Sequence, residues 1–401
     1  MQKKKHILVV SQYFYPEQFR INDICQEWIK RGYQVTVVTG IPNYPEGKFY
    51  PGYGFFKRRT EKWNGVRIIR IPLIARGKTS IGMVVNYLSF VVSSFLWVKF
   101  TKKKADYVFT FEVSPMTQAL LGVWYSKKHK IPNYLYVQDL WPDNVESVTG
   151  IHHKFILQPI GKMVDYIYKN CDQIFATSPS FVEEICKRGV EEAKVHYWPQ
   201  YAEDFYKPLK RKPTVEIPDE ECFKIIFTGN IGYAQGLEVL PKTAEMLKKD
   251  NEKVKFYIVG DGRYKSELLN EIKQRNVDDM FKIIDRQPAE RIPELLAACD
   301  AAFISFKDEP LFYKTIPAKL QSYMACGMPI IASASGETER IINAADCGIC
   351  TEIGDVEELS KGIRRMMRKT PTQMGENSRK YFWEKFDKRI LMDQMDKYFR
   401  G

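Results

Sequence analysis

Residues 223–236, FKIIFTGNIGYAQG, carry an apolar run of strand length that closes on Thr228-Gly229-Asn230-Ile231-Gly232-Tyr233-Ala234-Gln235-Gly236. Small residues at such a strand-to-helix turn let backbone N–H groups come close to a diphosphate. One unit later Val259-Gly260-Asp261-Gly262-Arg263 repeats the pattern, and Arg263 adds a planar guanidinium able to fork two phosphate oxygens. A third crossing runs from Tyr313 and Lys314 through Pro317 to Pro329. Pro317 suits a first helical turn, and Lys319 and Ser322 then fall three residues apart on one face. One glycine turn is explained by packing alone; three at successive crossings are not. Runs 223–229, 255–260, 281–285, 301–305, 329–332 and 348–350 are therefore expected as strands of a parallel sheet with helices on both faces.

The same alternation occupies the first half. Strands are expected at 7–10, 34–39, 66–71, 107–110, 133–138, 173–177 and 194–197, with helices over 22–31 and from Pro115, Pro159 and Pro179. A chain of 401 residues exceeds what one core usually supports. Residues 201–221, with Pro208, Pro213, Pro218 and the basic run Lys210-Arg211-Lys212, have the composition of an exposed connection. The expected division is 1–202, 203–375 and an amphipathic helical tail over 376–401. The fold class is α/β, two doubly wound Rossmann-like domains facing a cleft, with ligands at the carboxyl ends of the strands.

The net charge of +12 lies wholly in residues 1–200, which hold 28 Lys+Arg against 16 Asp+Glu; the remainder is balanced. One half is thus suited to phosphates or an anionic surface. The apolar stretch after the basic start is too short for a signal-peptide core, and the eight scattered cysteines read as thiols of a reducing compartment, so a cytoplasmic protein is expected. No G-x-G-x-x-G follows the first strand, which argues against NAD or FAD. The five histidines form no H-E-x-x-H, no D-x-D occurs, and Cys347-Gly348-Ile349-Cys350 lacks a second pair; no metal or cofactor is expected. Nor do the zinc-knuckle, KH or RRM signatures of nucleic-acid binding accompany the basic half.

Candidate site residues of the first half cluster after strands. The first strand leads into Tyr15, Glu17 and Arg20, the second into Asn43, the run ending at Phe111 into Glu112, and the next into Asp139 and Trp141. Asp139 is the sharpest candidate for orienting a hydroxyl or accepting its proton, with Glu17 second. A turn or N-cap carboxylate is the ordinary alternative. Residues 81–98, IGMVVNYLSFVVSSFLWV, are uncharged and followed by Lys99 and Lys102 to Lys104. A membrane span, a buried domain helix and a surface-attached helix are all open readings. Internal polar residues count against the first, whereas Trp97 and the lysines suit the last.

With SQYFYPEQFR, FTGNIGYAQGL, VGDGR and IPAKLQSYMACGMPIIAS in view, the chain resembles the family 4 glycosyltransferases of GT-B fold, in particular the branch of L-fucosamine and colanic-acid transferases of bacterial surface-polysaccharide synthesis. The resemblance implies metal-independent, configuration-retaining transfer from a UDP-sugar, such as a UDP-activated N-acetylated deoxyhexosamine, to a polyprenyl-diphosphate-linked saccharide. It implies work in the cytoplasm at the inner face of the membrane, on an anionic surface and without nucleic acid. By position, Gly229, Asn230, Gly232, Gln235, Gly236, Arg263, Lys314, Lys319 and Ser322 would meet the donor nucleotide. Tyr15, Arg20, Asn43, Glu112 and Trp141 would line the acceptor side, with Asp139 and Glu17 nearest the chemistry. The chain departs from the family pattern at Asn230 and Gln235, where cations are usual, and at Lys314 and Ser322, where glutamates are. A UDP-sugar epimerase of the same fold and a non-catalytic nucleotide-sugar-binding protein are the alternatives.

Overall fold

The computed structural model describes residues 4–149, 153–368 and 371–400. The chain forms two compact units, Met1–Trp198 with Lys397–Gly401, and Pro199–Asp396.

The first unit runs β1 His6–Val10, α1 Arg20–Lys30, β2 Gln34–Thr39, β3 Thr60–Trp63, β4 Val66–Arg70, α2 Ser80–Phe100, β5 Tyr107–Glu112 and α3 Ala119–His129. It continues with β6 Asn133–Val137, α4 Asp143–Thr149, α5 Lys154–Lys169, β7 Gln173–Ala176, α6 Pro179–Lys187 and β8 Val195–Tyr197. The sheet order is β3-β4-β2-β1-β5-β6-β7-β8. All pairs are parallel except β3 with β4, an antiparallel edge hairpin that the expected all-parallel sheet lacked. Pro159 does not begin a helix but lies within α5, whereas Pro179 opens α6 behind the Ser178 cap, as expected. Pro115 precedes a short 3-10 turn that leads into α3.

One face of this sheet packs Leu8, Val10, Val38 and Val108 against Phe90 and Val98 of α2 and Leu121 and Tyr125 of α3. On the other side Phe109 meets Trp28 of α1, and both meet Phe399 from the end of the chain. Tyr107 and Tyr134 donate hydroxyl hydrogen bonds to the Phe399 and Tyr398 carbonyls, at 2.8 and 2.9 Å. Phe399 is fully buried. Phe399→Ala is expected to destabilise this unit by about 3–5 kcal/mol, the cost of emptying a large aromatic site. Urea unfolding followed through the fluorescence of the neighbouring Trp28 measures it.

The second unit contains β9 Phe223–Asn230, α7 Val239–Lys249, β10 Val254–Asp261, α8 Lys265–Gln274, β11 Phe281–Ile284, α9 Ile292–Ala297, β12 Ala301–Ser305, α10 Pro310–Tyr313 and α11 Ala318–Ala325. Then follow β13 Ile330–Ser333, α12 Glu337–Ala345, β14 Gly348–Thr351, α13 Val356–Arg368, α14 Thr372–Lys385 and α15 Lys388–Arg400, whose last residues belong to the first unit. Its strand order is β11-β10-β9-β12-β13-β14, all parallel. Alternation along the strands fills two cores: Ile226, Tyr257 and Ile304 on one face, Ile225, Phe227, Ile258 and Phe303 on the other. The cysteines are free thiols, and Cys350 Sγ donates to the Ala334 carbonyl at 3.2 Å, a structural contact as the spacing suggested.

Candidate functional site

In an open parallel sheet, ligands gather at the carboxyl ends of the strands where strand order reverses. In the first unit that point lies between β1 and β5, and in the second between β9 and β12. Each unit is described in turn.

The loop after β1 carries Glu17, which is buried. Its Oε1 accepts the backbone N–H groups of Asn43 at 2.8 Å and Tyr44 at 2.7 Å, and its Oε2 accepts that of Phe14 at 3.2 Å. Burial pushes its pKa up to about 7 against these three donors. Glu17, placed second after Asp139 by the sequence, is a buried carboxylate whose three backbone donors clasp the loops after β1 and β2. Asn43 is likewise buried, its Oδ1 accepting Arg76 N at 3.0 Å and its Nδ2 donating to the Ile41 carbonyl at 2.9 Å. Tyr15 stacks on Trp63 of β3 with ring centroids 4.5 Å apart, and its carbonyl accepts Nη2 of the buried Arg70 at 2.7 Å. The unexpected edge hairpin therefore positions this loop. Arg20 opens α1 and is half-buried.

Asp139 lies just past β6, half-buried. Its Oδ2 accepts Ser114 N at 2.7 Å and Ser114 Oγ at 2.8 Å. Trp141 Nε1 and Asn144 Nδ2 both donate to Ser114 Oγ, at 3.1 and 2.8 Å. With both lone pairs of that hydroxyl taken, its proton points at Asp139, and the carboxylate is aimed by a fixed donor. Burial raises the Asp139 pKa against the two Ser114 bonds. Beneath it Glu112 is fully buried and its Oε1 has no hydrogen-bond partner; burial first and the Asp139 charge second hold its pKa well above the carboxylate range. Of the pair Glu112 is thus the more strongly driven toward its neutral form, while Asp139 keeps two Ser114 bonds that favour its charge. Ser114 is not among the residues that the sequence singled out; a hydroxyl before proline gives no signal of what it will bond.

In the second unit the glycine loops after β9 and β10 are laced together. Ile231 N donates to the Asp261 carbonyl at 2.9 Å and Tyr264 N to the Ile231 carbonyl at 3.0 Å. Gly236 has φ +57, and a Cβ there would lie 2.3 Å from the Phe306 carbonyl; at Gly260, φ +151, it would lie 1.8 Å from the Gly229 carbonyl. Only glycine fits either position. Lys319 of α11 reaches into this loop: Nζ donates to Gln235 Oε1, sits 3.9 Å from the Phe227 ring centroid, and would be 3.7 Å from a Cβ on Gly229. Among the described residues no carboxylate lies within 4.0 Å of it, and burial lowers its pKa to about 7. The absent side chain at Gly229 leaves that ammonium open to the backbone of the loop, an arrangement suited to an anion. Asn230 and Arg263 are exposed, and Gly232 and Lys314 half-buried. Ser322 is buried and its hydroxyl bonds the Ala318 carbonyl of its own helix at 3.2 Å, so of the pair read on one face of α11 only Lys319 faces the loop. Among the described residues no group of three or more His, Cys, Asp or Glu is placed to hold a metal ion.

Residues 19–200 match the family described as Glycosyltransferase Family 4 and residues 210–381 match Glycosyl transferases group 1, so the chain belongs to the GT-B glycosyltransferases that these domains define. The chain is 25% identical over 363 residues to the colanic acid biosynthesis glycosyl transferase WcaI of Escherichia coli (strain K12), covering 85% of this chain and 86% of that one. Among solved structures it is similar to sucrose-phosphate synthase from Thermosynechococcus elongatus, with a TM-score of 0.76 at 15% identity over 99% of this chain and 98% of the other. It is similar also to Anabaena HepE in complex with UDP, with a TM-score of 0.70 at 15% identity over 99% of this chain and 100% of that one.

Proposed function

We propose that the enzyme transfers a sugar from a UDP-sugar, bound by the second unit, to a lipid-linked saccharide that the first unit meets at the inner face of the cell membrane. The observation that carries this reading is the outer face of α2. Of its 21 residues only Asn86, Phe90, Ser94 and Val98 are buried, a stripe spaced by four, while Ile81, Leu88, Val92 and Phe100 are 78, 56, 60 and 72% exposed. A helix apolar all round but buried on one stripe has a second apolar partner to satisfy. By length and composition α2 is also able to cross a membrane. Its buried Asn86, however, donates to the Ile74 carbonyl at 2.6 Å and accepts Gln12 Nε2 at 2.8 Å, bonds that keep it on its own unit. A helix so held lies along a bilayer surface, with exposed Lys99, Lys102 and Lys104 at its end attracting anionic headgroups.

Support for a diphosphate comes from the Lys319 ammonium beside the glycine loop, and support for uridine from HepE, a structural neighbour described with UDP. Support for surface polysaccharide synthesis comes from WcaI, and the donor proposed is an N-acetylated deoxyhexosamine transferred with retention of configuration. Mixing the enzyme with UDP-, GDP- and dTDP-sugars and a polyprenyl-diphosphate saccharide in anionic vesicles tests the reading. UDP release with a lengthened acceptor is expected; a new UDP-sugar without UDP release identifies an epimerase, and preference for a GDP-sugar overturns the nucleotide. Leu88→Glu with Val92→Glu is expected to leave the protein in the supernatant after sedimentation with phosphatidylglycerol vesicles that carry the unmodified enzyme down. Equal recovery of both in the supernatant removes the membrane from the proposal.

A further inference from the structure

Residues 71–79 join β4 to α2, and in their middle stands Arg76, half-buried. Its guanidinium lies 5.4 Å from the Tyr44 ring centroid and touches Met83 Sδ at 3.3 Å. Among the described residues no carboxylate comes within 4.0 Å of it. The position of Arg76 is nevertheless tightly set. Its N–H donates to Asn43 Oδ1 at 3.0 Å, Gly77 N donates to the Gly47 carbonyl at 2.8 Å, and Asn86 of α2 donates to the same Asn43 Oδ1 at 3.4 Å. The segment is therefore tied on one side to the loop that Glu17 clamps and on the other to the apolar helix.

What surrounds the guanidinium points to a ligand. The hydroxyls of Tyr13 and Tyr87 lie within its electrostatic reach, and the Tyr87 hydroxyl is also within reach of Asp139. Tyr87 is thus under the influence of both Arg76 and Asp139, and Arg76 stands in the segment from which α2 begins. A partly desolvated guanidinium with no counter-ion is costly, and its planar fork matches phosphate oxygens. From Ser80 onward α2 extends about 31 Å, and its exposed apolar side chains begin with Ile81, Val84, Val85 and Leu88. Among the described residues a guanidinium without a carboxylate thus stands at the end of α2 where its exposed apolar face starts, the junction that the phosphate and hydrocarbon chain of an amphiphile require.

We propose that Arg76 binds the phosphate of the acceptor, a prenyl-chain diphosphate whose hydrocarbon lies along the exposed face of α2 and whose sugar reaches Asp139. The inference rests on the lipid-acceptor reading and adds to it the residue that recognises the phosphate. The exposed Lys78, two residues on, supplies a second positive charge in the same segment.

Titration of the full-length protein with farnesyl diphosphate and with farnesol, by calorimetry below their aggregation limits, tests this directly. The unmodified protein is expected to bind the diphosphate at least about tenfold more tightly than the alcohol. Arg76→Gln removes that preference, Arg76→Lys restores part of it, and UDP affinity is the same in all three. In transfer assays Arg76→Gln raises KM for the lipid-linked acceptor with little change in kcat. Sedimentation with phosphatidylglycerol vesicles separates the acceptor phosphate from a phospholipid headgroup: Arg76→Gln is expected to sediment as the unmodified protein does. Equal affinity of the unmodified protein for diphosphate and alcohol overturns the inference, even if Arg76→Gln fails to fold. So does loss of vesicle binding in Arg76→Gln with its diphosphate preference intact. Neither outcome touches the transferase reading, which fails only if no transfer from a nucleotide sugar is found.

Discussion

Asp139→Asn is expected to retain the affinity for UDP and to lower sugar transfer by about 10²-fold or more. The substitution keeps the shape of the side chain, and an amide oxygen still accepts from Ser114 N and Oγ, now at 2.7 and 2.8 Å from Oδ2. What it removes is the capacity to take a proton from an acceptor hydroxyl. The pH profile carries a second signature. Asp139 acts only when ionised, and burial raises its pKa, so the acid limb of kcat/KM lies above the ordinary value of an aspartate and activity climbs with pH through that limb. In Asp139→Asn the limb disappears. Glu112→Gln is the matched control: burial drives Glu112 toward its neutral form and among the described residues its Oε1 has no partner, so the amide is expected to cost far less activity. Near-normal turnover in Asp139→Asn, or a larger loss in Glu112→Gln, reverses the assignment of the pair.

Lys319→Ala is expected to weaken UDP binding by about 10- to 100-fold, the range of a charge-assisted hydrogen bond to a partly buried phosphate. The lysine is half-buried with no carboxylate against it, so its removal strands no opposite charge and the fold is retained. Direction with pH follows from its pKa of about 7. Below that value the ammonium is formed before ligand arrives; above it the ligand must also draw a proton onto the amine, so UDP affinity in the unmodified protein falls as pH rises from 6 to 9. Lys319→Ala flattens that dependence. Calorimetry at three pH values in two buffers of different ionisation enthalpy also reads the proton taken up. Unchanged affinity in Lys319→Ala removes the residue from the donor site and turns attention to Arg263, which stands exposed on the adjoining loop.

The two largest expected effects thus fall on a carboxylate and an amine whose pKa values are moved toward neutrality by the same cause, burial without a full counter-ion. In Asp139 the shift is opposed by one serine that bonds it twice; in Lys319 burial acts alone, with a glutamine oxygen and an aromatic face beside the amine. Neutral partners orient these groups without cancelling their charge, which leaves the charge available to a ligand.

Strand positions, the glycine turns and the division into two α/β halves are set by local pattern: apolar runs of strand length, glycines where φ is positive, and helices capped at Ser178 and beyond. That the candidate residues follow strand ends was legible for the same reason, since a parallel sheet gathers its carboxyl-end loops wherever the chain puts them. The antiparallel strand Thr60-Glu61-Lys62-Trp63 was not, because a short polar edge strand carries no apolar period and forms only when β4 is there to pair with it. Which carboxylate is free was also a tertiary matter. Glu17 and Asp139 look alike as strand-end acids, and only the approach of the loop after β2 spends the first on three backbone donors while Ser114 aims the second. Ser322 and Lys319 share a helix, and the rotation of α11 turns one toward its own backbone and the other into the glycine loop. Residues 81–98 specify an apolar helix by composition alone, but which of its faces is covered depends on where Asn86 finds Gln12, Asn43 and Ile74, three partners from three separate segments. Arg76 belongs wholly to that second kind of information: a lone arginine in an irregular segment has no periodicity to betray it, and the role proposed for it rests on there being no carboxylate beside it among the described residues, which only the packed molecule shows.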